Sequence, residues 1–528
     1  MAFLARHSTL GVLLRLMLTG KISFDRKSLR DSEKHQLDTD LPLQEQPSPD
    51  QSSAEEGGSP RHHRLVRWDN EDDTSNPQNW SFASKVWITF VINLYTFTVY
   101  VGSSLYVSSE EGIMNEFGVN STQASLGLAL YVLGYGTGCL ILSPLTEIPL
   151  IGRNPPYAIS GLLFVILCIP GALVNNYPGL MVLRFLIGLM ASPPLATSGA
   201  TLSDIWSPQD FPFAIGIWAA TTSMGPAFGP TLSSYAVKEL GWRFASWELL
   251  ICAGPSFLLL FVSVPETSAL TILHYRAKRL REATGDATIQ SEAEVKQKHK
   301  KLSSILWDAG IKPWEMNIKD PALLFTTFYF ALIYGIYYTF FESLPLVFPK
   351  YHNFSPESTG LVFLSAVPGL ALAVSLHFLY LKLVLPKMRD GTFGELENNL
   401  ILGMVFSWFI PAGLFIYAWT SRPSIHWIVP TIGLGTLMSA MYFVTQSIFA
   451  YIPMIYPRYA ASILAASSFV RSLVAFAAIL FAEPMFSALG VSGGVSLLGG
   501  LTVLCAAGLG FLWKFGKRLR ARSSFAVD

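Results

Sequence analysis

What most constrains this chain is a series of about twelve long apolar runs, split six and six by one charged insertion. Their approximate limits are 86–107, 123–146, 156–175, 179–204, 213–237, 245–264, 321–348, 357–383, 399–420, 425–451, 460–483 and 491–513. About 20 apolar helical residues cross a hydrocarbon layer of ~30 Å. A dozen such runs do not fit one water-soluble core; in a bilayer each helix satisfies its own backbone. Composition agrees, with 14% charged residues against about 25% in soluble domains, and a mean hydropathy of +0.41. The pattern predicts an all-α polytopic membrane protein, embedded in lipid, with 12 transmembrane helices in two six-helix bundles. The expected segments are a disordered cytoplasmic tail over 1–84, bundles over 85–264 and 321–515, a cytoplasmic linker over 265–320 and a cytoplasmic tail over 516–528.

Residues 31–62 are rich in Ser, Glu, Gln, Asp and Pro, too polar to bury a core of their own. The run Leu10–Leu14 is broken by Arg15 and is too short to span; a cleaved leader is not expected. Lys and Arg set the orientation. With the N-terminus inside, the inner segments hold Arg153, the linker bases Arg276, Lys278, Arg279, Arg281 and the Lys296–Lys301 cluster, then Lys382, Lys387, Arg389, Arg458, Lys514, Lys517, Arg518, Arg520 and Arg522. The outer loops hold Lys238, Arg243, Lys350 and Arg422. Both termini are therefore expected in the cytosol. Asn120 and Asn353 then become external candidate glycosylation sites, each close to a helix end.

A net charge of +1 gives no footprint for nucleic acid. Cys139, Cys168, Cys252 and Cys505 all lie in apolar runs and read as small hydrophobes, with neither a disulfide framework nor metal spacing. No metal or cofactor is expected. The pairs Gly20-Lys21 and Gly516-Lys517 lack the upstream glycine of a phosphate loop and are followed by Ile22 and Arg518. ATP hydrolysis is not expected, so uphill transport would need an ion gradient. No paired nucleophile and base marks an enzyme.

The fifth run carries Gly216-Ile217-Trp218-Ala219-Ala220-Thr221-Thr222-Ser223-Met224-Gly225-Pro226-Ala227-Phe228-Gly229-Pro230. Gly225 and Gly229 share one helix face, as do Pro226 and Pro230. An interior proline costs about 3 kcal/mol in a soluble helix and is tolerated in a membrane bundle. The small face lets another backbone approach, either as a packing kink or as a hinge or seal between two moving halves.

Few charges enter the apolar runs. Arg184 lies inside the fourth, where an arginine costs roughly 2.5–3.5 kcal/mol on insertion scales. It either bonds to neighbouring helices or tunes a titratable group. Glu342, in the seventh run among Phe328, Tyr329, Tyr334, Tyr337, Tyr338, Phe340 and Phe341, is the better candidate proton carrier; Glu248 and Glu483 stand nearer the outer surface. The aromatic residues either pack or line a cavity for flat or cationic apolar compounds. Glu147 and Arg153 flank the turn Ser143–Arg153 and are expected to clamp adjacent helix ends as an inner gate.

Taken together, these stretches resemble the major facilitator superfamily, and more closely its fungal twelve-helix drug:proton antiporters; the resemblance covers about residues 65–520. Gly216 through Pro230 resembles the antiporter signature of helix five, and Arg184 with Gly188 the helix-four signature whose arginine is linked to proton transfer. Ser143 through Arg153 resembles the loop between helices two and three, with Glu147 for the usual aspartate and two extra residues before Gly152-Arg153. Asn76–Ser81, Val264–Thr267, Ala277–Arg281 and Ser467–Ser472 also fit the group, whereas Leu396–Leu400 keeps Glu397 but has Asn399 where the group favours arginine. The resemblance implies a proton-coupled antiporter exporting hydrophobic drugs or toxins by alternating access. The alternatives are a dedicated exporter of an endogenous secondary metabolite or organic acid, a polyamine exporter, a nutrient importer or a non-transporting membrane sensor. It implies small-molecule and proton partners, a monomer, and the plasma membrane, with the vacuolar membrane as the other location.

Overall fold

The computed structural model describes residues 8–11, 64–297, 311, 314–390, 395–456 and 460–521. The long helices are α1 (Phe82–Ser104), α2 (Ser121–Thr146), α3 (Asn154–Leu173), α4 (Tyr177–Ile205), α5 (Phe211–Leu240) and α6 (Phe244–Ser263). The second half has α7 (Pro321–His352), α8 (Pro356–Lys387), α9 (Leu396–Thr420), α10 (Ile428–Ile455), α11 (residues 460–489) and α12 (residues 491–520). The last two form one helical stretch that turns at Gly490, with φ 69°. Among the described residues, ten stretches are long and apolar enough to cross a membrane; the last is long enough for two. The helix missing from those ten is α5, whose glycines, serines, threonines and prolines dilute its apolar character. The expected twelve crossings are all present.

Polar residues at the run boundaries start the helices. Ser81 caps α1, Asn176 caps α4 and Asp320 caps α7 by accepting from the first free backbone N–H groups. Asn120 forms a reciprocal capping box with Gln123. Asn353 ends α7 at φ 53°, the one non-glycine with positive φ among the described residues. Both candidate glycosylation asparagines thus shape helix ends. The first helical stretch runs on to Phe117, ten residues past the end read from the apolar pattern.

Burial separates the helices by role. The window in the α1 stretch is 72% buried and that in α7 78%, against 28% in α6 and 33% in α8. Exposed Ile159, Leu162 and Ile166 on α3, Ile251 and Leu258 on α6, and Leu504 and Phe511 on α12 make apolar outer faces. Water would not tolerate such continuous faces, whereas lipid does. The largest fully buried side chains are mostly tyrosines, including Tyr100, Tyr131, Tyr135 and Tyr338. The centre therefore carries hydroxyl groups that need partners.

The stretch expected to be a structureless tail to residue 84 has a docked end. β1 (Arg64–Leu65) pairs in parallel with β2 (Ile289–Gln290) of the linker. Arg276, on the linker helix Ala269–Thr284, binds Asp69 at 2.5 Å and Asp73 at 2.8 Å. Arg281 and His274 meet Glu294. Much of the Lys296–Lys301 cluster, Arg458, Arg522 and the polar stretch 31–62 fall outside the described residues.

Candidate functional site

Helix α5 stands between the halves, but its glycine face does not meet the opposite one. A Cβ on Gly229 would overlap Ser104 Oγ and lie 2.7 Å from Leu105 N, and one on Gly225 would overlap Tyr100 Cβ and lie 3.2 Å from Phe97 O. Both glycines thus hold α5 tightly against α1, in their own half. Pro226 and Pro230 lack N–H groups, so the carbonyls of Thr222 and Pro226 lose their helical donors; α5 nonetheless continues unbroken. The cross-half contacts lie on its other face. The Phe213 and Phe378 rings meet edge-on at 5.3 Å, and Tyr442 Oη donates to Gly216 O at 3.3 Å. Further along, Tyr337 Oη donates to Ser223 O (3.2 Å), Thr231 Oγ1 donates to Gly360 O (2.8 Å), and Lys238 Nζ pairs with Glu357 at 2.5 Å. Of the motif glycines, Gly216 is the one facing the opposite half, where a Cβ would lie 3.2–3.3 Å from Phe378, Gln446 and Tyr442.

A polar core crosses the centre. Tyr135 on α2 shares short hydroxyl contacts with Tyr334 and Tyr338 on α7, and Ser103 Oγ lies 3.1 Å from Tyr338 Oη. Arg471 on α11 donates from Nη2 to Tyr100 Oη at 3.0 Å. Its guanidinium sits 4.8 Å from the Tyr334 ring and 5.2 Å from that of Phe330. Next to it, Thr222, Ser223, Tyr337, Met438 and Met441 line a cavity of about 40 Å³ between the halves. Pockets for drug-sized ligands hold roughly 300–1,000 Å³, so the cavity is too narrow for such a ligand without movement of its walls. Arg471 lies within the recognised run Ser467–Ser472, yet an arginine there gives no sequence signal that it faces a cavity.

Arg184 is placed differently. Its Nε donates to Gly127 O (3.2 Å) and its Nη2 to Gly102 O (3.2 Å) and Ser103 O (3.4 Å). The guanidinium lies 4.5 Å from the Tyr106 ring and 4.7 Å from the Tyr131 ring. It ties α1, α2 and α4 into one body, and desolvated contacts of this kind contribute up to about 2 kcal/mol each. Arg184 and Glu342 form no ion pair. Glu110, just past α1, interacts with both and was hidden by its place in an apparent outer loop. Glu342 is buried, and Glu110, Glu483 and Ser125, from both halves, lie within electrostatic reach of it. Thr122 donates to Glu483 at 2.9 Å and Ser125 to Glu110 at 3.4 Å. Glu248 stands apart on α6.

At the basic end, the expected Glu147–Arg153 clamp is replaced. Arg153 Nε pairs with Asp204 Oδ2 on α4 at 2.8 Å, whereas Glu147 is exposed and forms no ion pair among the described residues. Glu266 accepts from the backbone N–H groups of Arg153 and Asn154 at 3.0–3.1 Å, a carboxylate on the N-terminus of α3. Burial raises the Glu266 carboxyl above its ordinary value, against the pull of backbone N–H groups from Ser268, Asn154 and Arg153. Gly152 turns there at φ 83°, and a Cβ would lie 2.6 Å from Glu266 Oε2. Thr267 Oγ1 completes the network by donating to Asp204 at 3.2 Å. The pairing carboxylate comes from the far end of α4, which turn spacing cannot reveal.

The same end of the second half is bridged by Glu395, which pairs with Lys517 at 2.5 Å and lies 3.7 Å from Arg520. Arg520 Nη2 lies 3.5 Å from Glu397 Oε2, and neither Glu397 oxygen has a hydrogen-bond partner among the described residues. Asn399 donates to Leu396 O at 2.9 Å and, among the described residues, reaches no carboxylate.

Comparison with known proteins places these features. Residues 92–479 match the family model described as Major Facilitator Superfamily. The chain is 42% identical over 464 residues to the MFS-type transporter pyvG of Aspergillus violaceofuscus, covering 88% of this chain and 85% of the relative. It is 38% identical to fluconazole resistance protein 1 of Saccharomyces cerevisiae, with the same coverages of 88% and 85%. It is 36% identical to the cycloheximide resistance protein of Candida maltosa, covering 88% and 86%. Among solved structures, a peptide transporter POT superposes with a TM-score of 0.59 at 14% identity, covering 84% of this chain and 98% of the other. At that identity the likeness concerns the fold.

Proposed function

The chain belongs to the major facilitator superfamily, as a multi-pass membrane transporter and not an enzyme, and on that premise we propose that it exports small hydrophobic compounds in exchange for protons. The observation that carries this reading is the small cavity at the seam, lined from α5 on one side and α7, α10 and α11 on the other. A site shared by two six-helix bodies opens to either side when the bodies rock, as in repeat-built transporters. Export, rather than uptake, follows the relatives named for fluconazole and cycloheximide resistance.

In this scheme α5 is the rocking contact. Gly225 and Gly229 fix it to α1, the prolines loosen its backbone, and Gly216 slides against α8 and α10. Protons enter from the outer side through Glu110, Glu342 and Glu483. Like carboxylates gathered in one place do not all ionise together, so the cluster has a reason to hold a proton. Arg184 biases Glu110 within it. The protein works as a monomer in the plasma membrane with both termini in the cytosol.

The test uses purified transporter in proteoliposomes. Efflux should accelerate when the side receiving substrate is acidified, with proton movement in the opposite direction. Efflux indifferent to collapse of the pH gradient removes the coupling and leaves a facilitator.

A further inference from the structure

Arg471 is a buried charge at the seam whose bonding the helices leave unfinished. It is 4% exposed, and its Nε is buried without a partner among the described residues. The groups acting on it electrostatically are Tyr100, Tyr334, Tyr135 and Cys139, all neutral at ordinary pH. No carboxylate pairs with it among the described residues. An arginine keeps its proton, so a permanent positive charge faces the cavity. Its neighbours there do not duplicate it. Thr222 and Ser223 donate their hydroxyl protons to Ala219 O, and Tyr337 donates to Ser223 O. These groups turn lone pairs and rings toward the cavity, while Arg471 brings an uncommitted N–H. Met438 and Met441 add a flexible apolar wall.

Resting on the export reading, we infer that this cavity takes apolar compounds bearing one anionic or strongly accepting oxygen, seated on Arg471, and turns away permanent cations. A buried positive charge with no counterion repels a second one, and low polarity strengthens the effect. Charge-assisted hydrogen bonds to a guanidinium are the strong kind. The contact is also placed to be felt by both halves. Arg471 bonds Tyr100 across the seam, so a ligand oxygen competes for a guanidinium that ties α11 to α1. Seating the ligand loosens one cross-half bond, and the cavity widens as it fills.

The test measures binding to the purified full-length transporter in detergent with three naphthyl probes of one size. These are 2-naphthalenesulfonate, methyl 2-naphthyl sulfone and trimethyl(2-naphthyl)ammonium. The sulfonate should bind at least about ten-fold tighter than the ammonium. Arg471→Gln should lower sulfonate affinity about ten-fold and leave the sulfone within about three-fold. Tyr100→Phe keeps the guanidinium and removes its competitor, so it should hold or raise sulfonate affinity; this arm stands even where Arg471→Gln fails to fold. The inference is overturned if the ammonium binds as tightly as the sulfonate, if Tyr100→Phe abolishes sulfonate binding, or if none of the probes binds. Export of resistance compounds from cells is scored in parallel. Export that persists alongside a preference for cations sinks only the inference, whereas loss of all export sinks the transport reading itself.

Discussion

Arg184 and Arg471 are both guanidinium groups buried between aromatic rings, one in each half, yet they do opposite work. Arg184 gives its protons to carbonyls of α1 and α2 and closes the first half on itself. Arg471 reaches across to Tyr100 and keeps one N–H unused beside the cavity. The basic ends repeat the contrast. Arg153 Nε is engaged at 2.8 Å by Asp204, whereas Glu397 meets Arg520 at 3.5 Å and its oxygens accept no hydrogen bond among the described residues. Both halves keep some buried polar atoms without partners among the described residues, so the contrast belongs to these two guanidinium groups and not to whole halves. On the proposed rocking of one half past the other, the body tied by Arg184 acts as the rigid one, and Arg471 makes its own half the responsive one.

The largest expected effect breaks the rigid half. Arg184→Leu strips a donor from three carbonyls and two rings in a single body, and an orphaned buried acceptor costs about 1–3 kcal/mol. Folded protein at the membrane should fall at least about ten-fold, read by surface labelling. Arg471→Leu should leave abundance near normal and abolish export. Equal loss of abundance in both variants would erase the distinction.

The basic ends give the next effect. Asp204→Ala leaves Arg153 buried and unpaired, which costs about 3–5 kcal/mol. Glu397→Gln removes a buried charge that accepts no hydrogen bond among the described residues, and Arg520 keeps Glu395 at 3.7 Å, so the change should stay within about 1 kcal/mol of neutral. Thermal unfolding in detergent ranks the two. Gly152→Ala should fall between them at about 1–3 kcal/mol, since it strains a left-handed turn and presses on the Glu266 carboxylate.

Much of this architecture was legible in the chain because a bilayer leaves few options. Apolar runs of spanning length give the twelve crossings, and Asn120, Asn176 and Asp320 mark helix starts through local chemistry. Partners across the fold were not legible. Arg153 meets two carboxylates in space, Asp204 through its side chain and Glu266 through its backbone N–H, and neither is Glu147, the one near it in sequence. Gly225 and Gly229 announce a close approach, but their spacing does not say to which helix; it is α1 of the same half. Glu110 looks like a loop residue because the apolar pattern ends before the helix does. Arg471 carries no local mark of the cavity it faces, since that cavity exists only where α5, α7, α10 and α11 converge.

The smallest effect tests how far the body tied by Arg184 extends toward the linker. Arg276 is held by Asp69 and Asp73, and with β1 and β2 it fastens residues 64–80 to the linker. Burial opposes ionisation of Asp73, but the Ser75 N–H, Arg276 and the Asp69 N–H outweigh it and hold its carboxyl below the ordinary value of 3.8. A carboxyl lowered on folding stabilises the docked form above its unfolded pKa and loses that contribution as pH falls through the folded one. Docking should therefore be flat from neutral pH down to about 4 and weaken only in stronger acid. Arg276→Ala should expose residues 64–80 to limited proteolysis while export changes less than about two-fold, because the ion pairs it breaks lie outside the twelve helices. A large loss of export in Arg276→Ala would mean that the docked strand helps hold the rigid half together, and the line between the two bodies would have to be redrawn to include it.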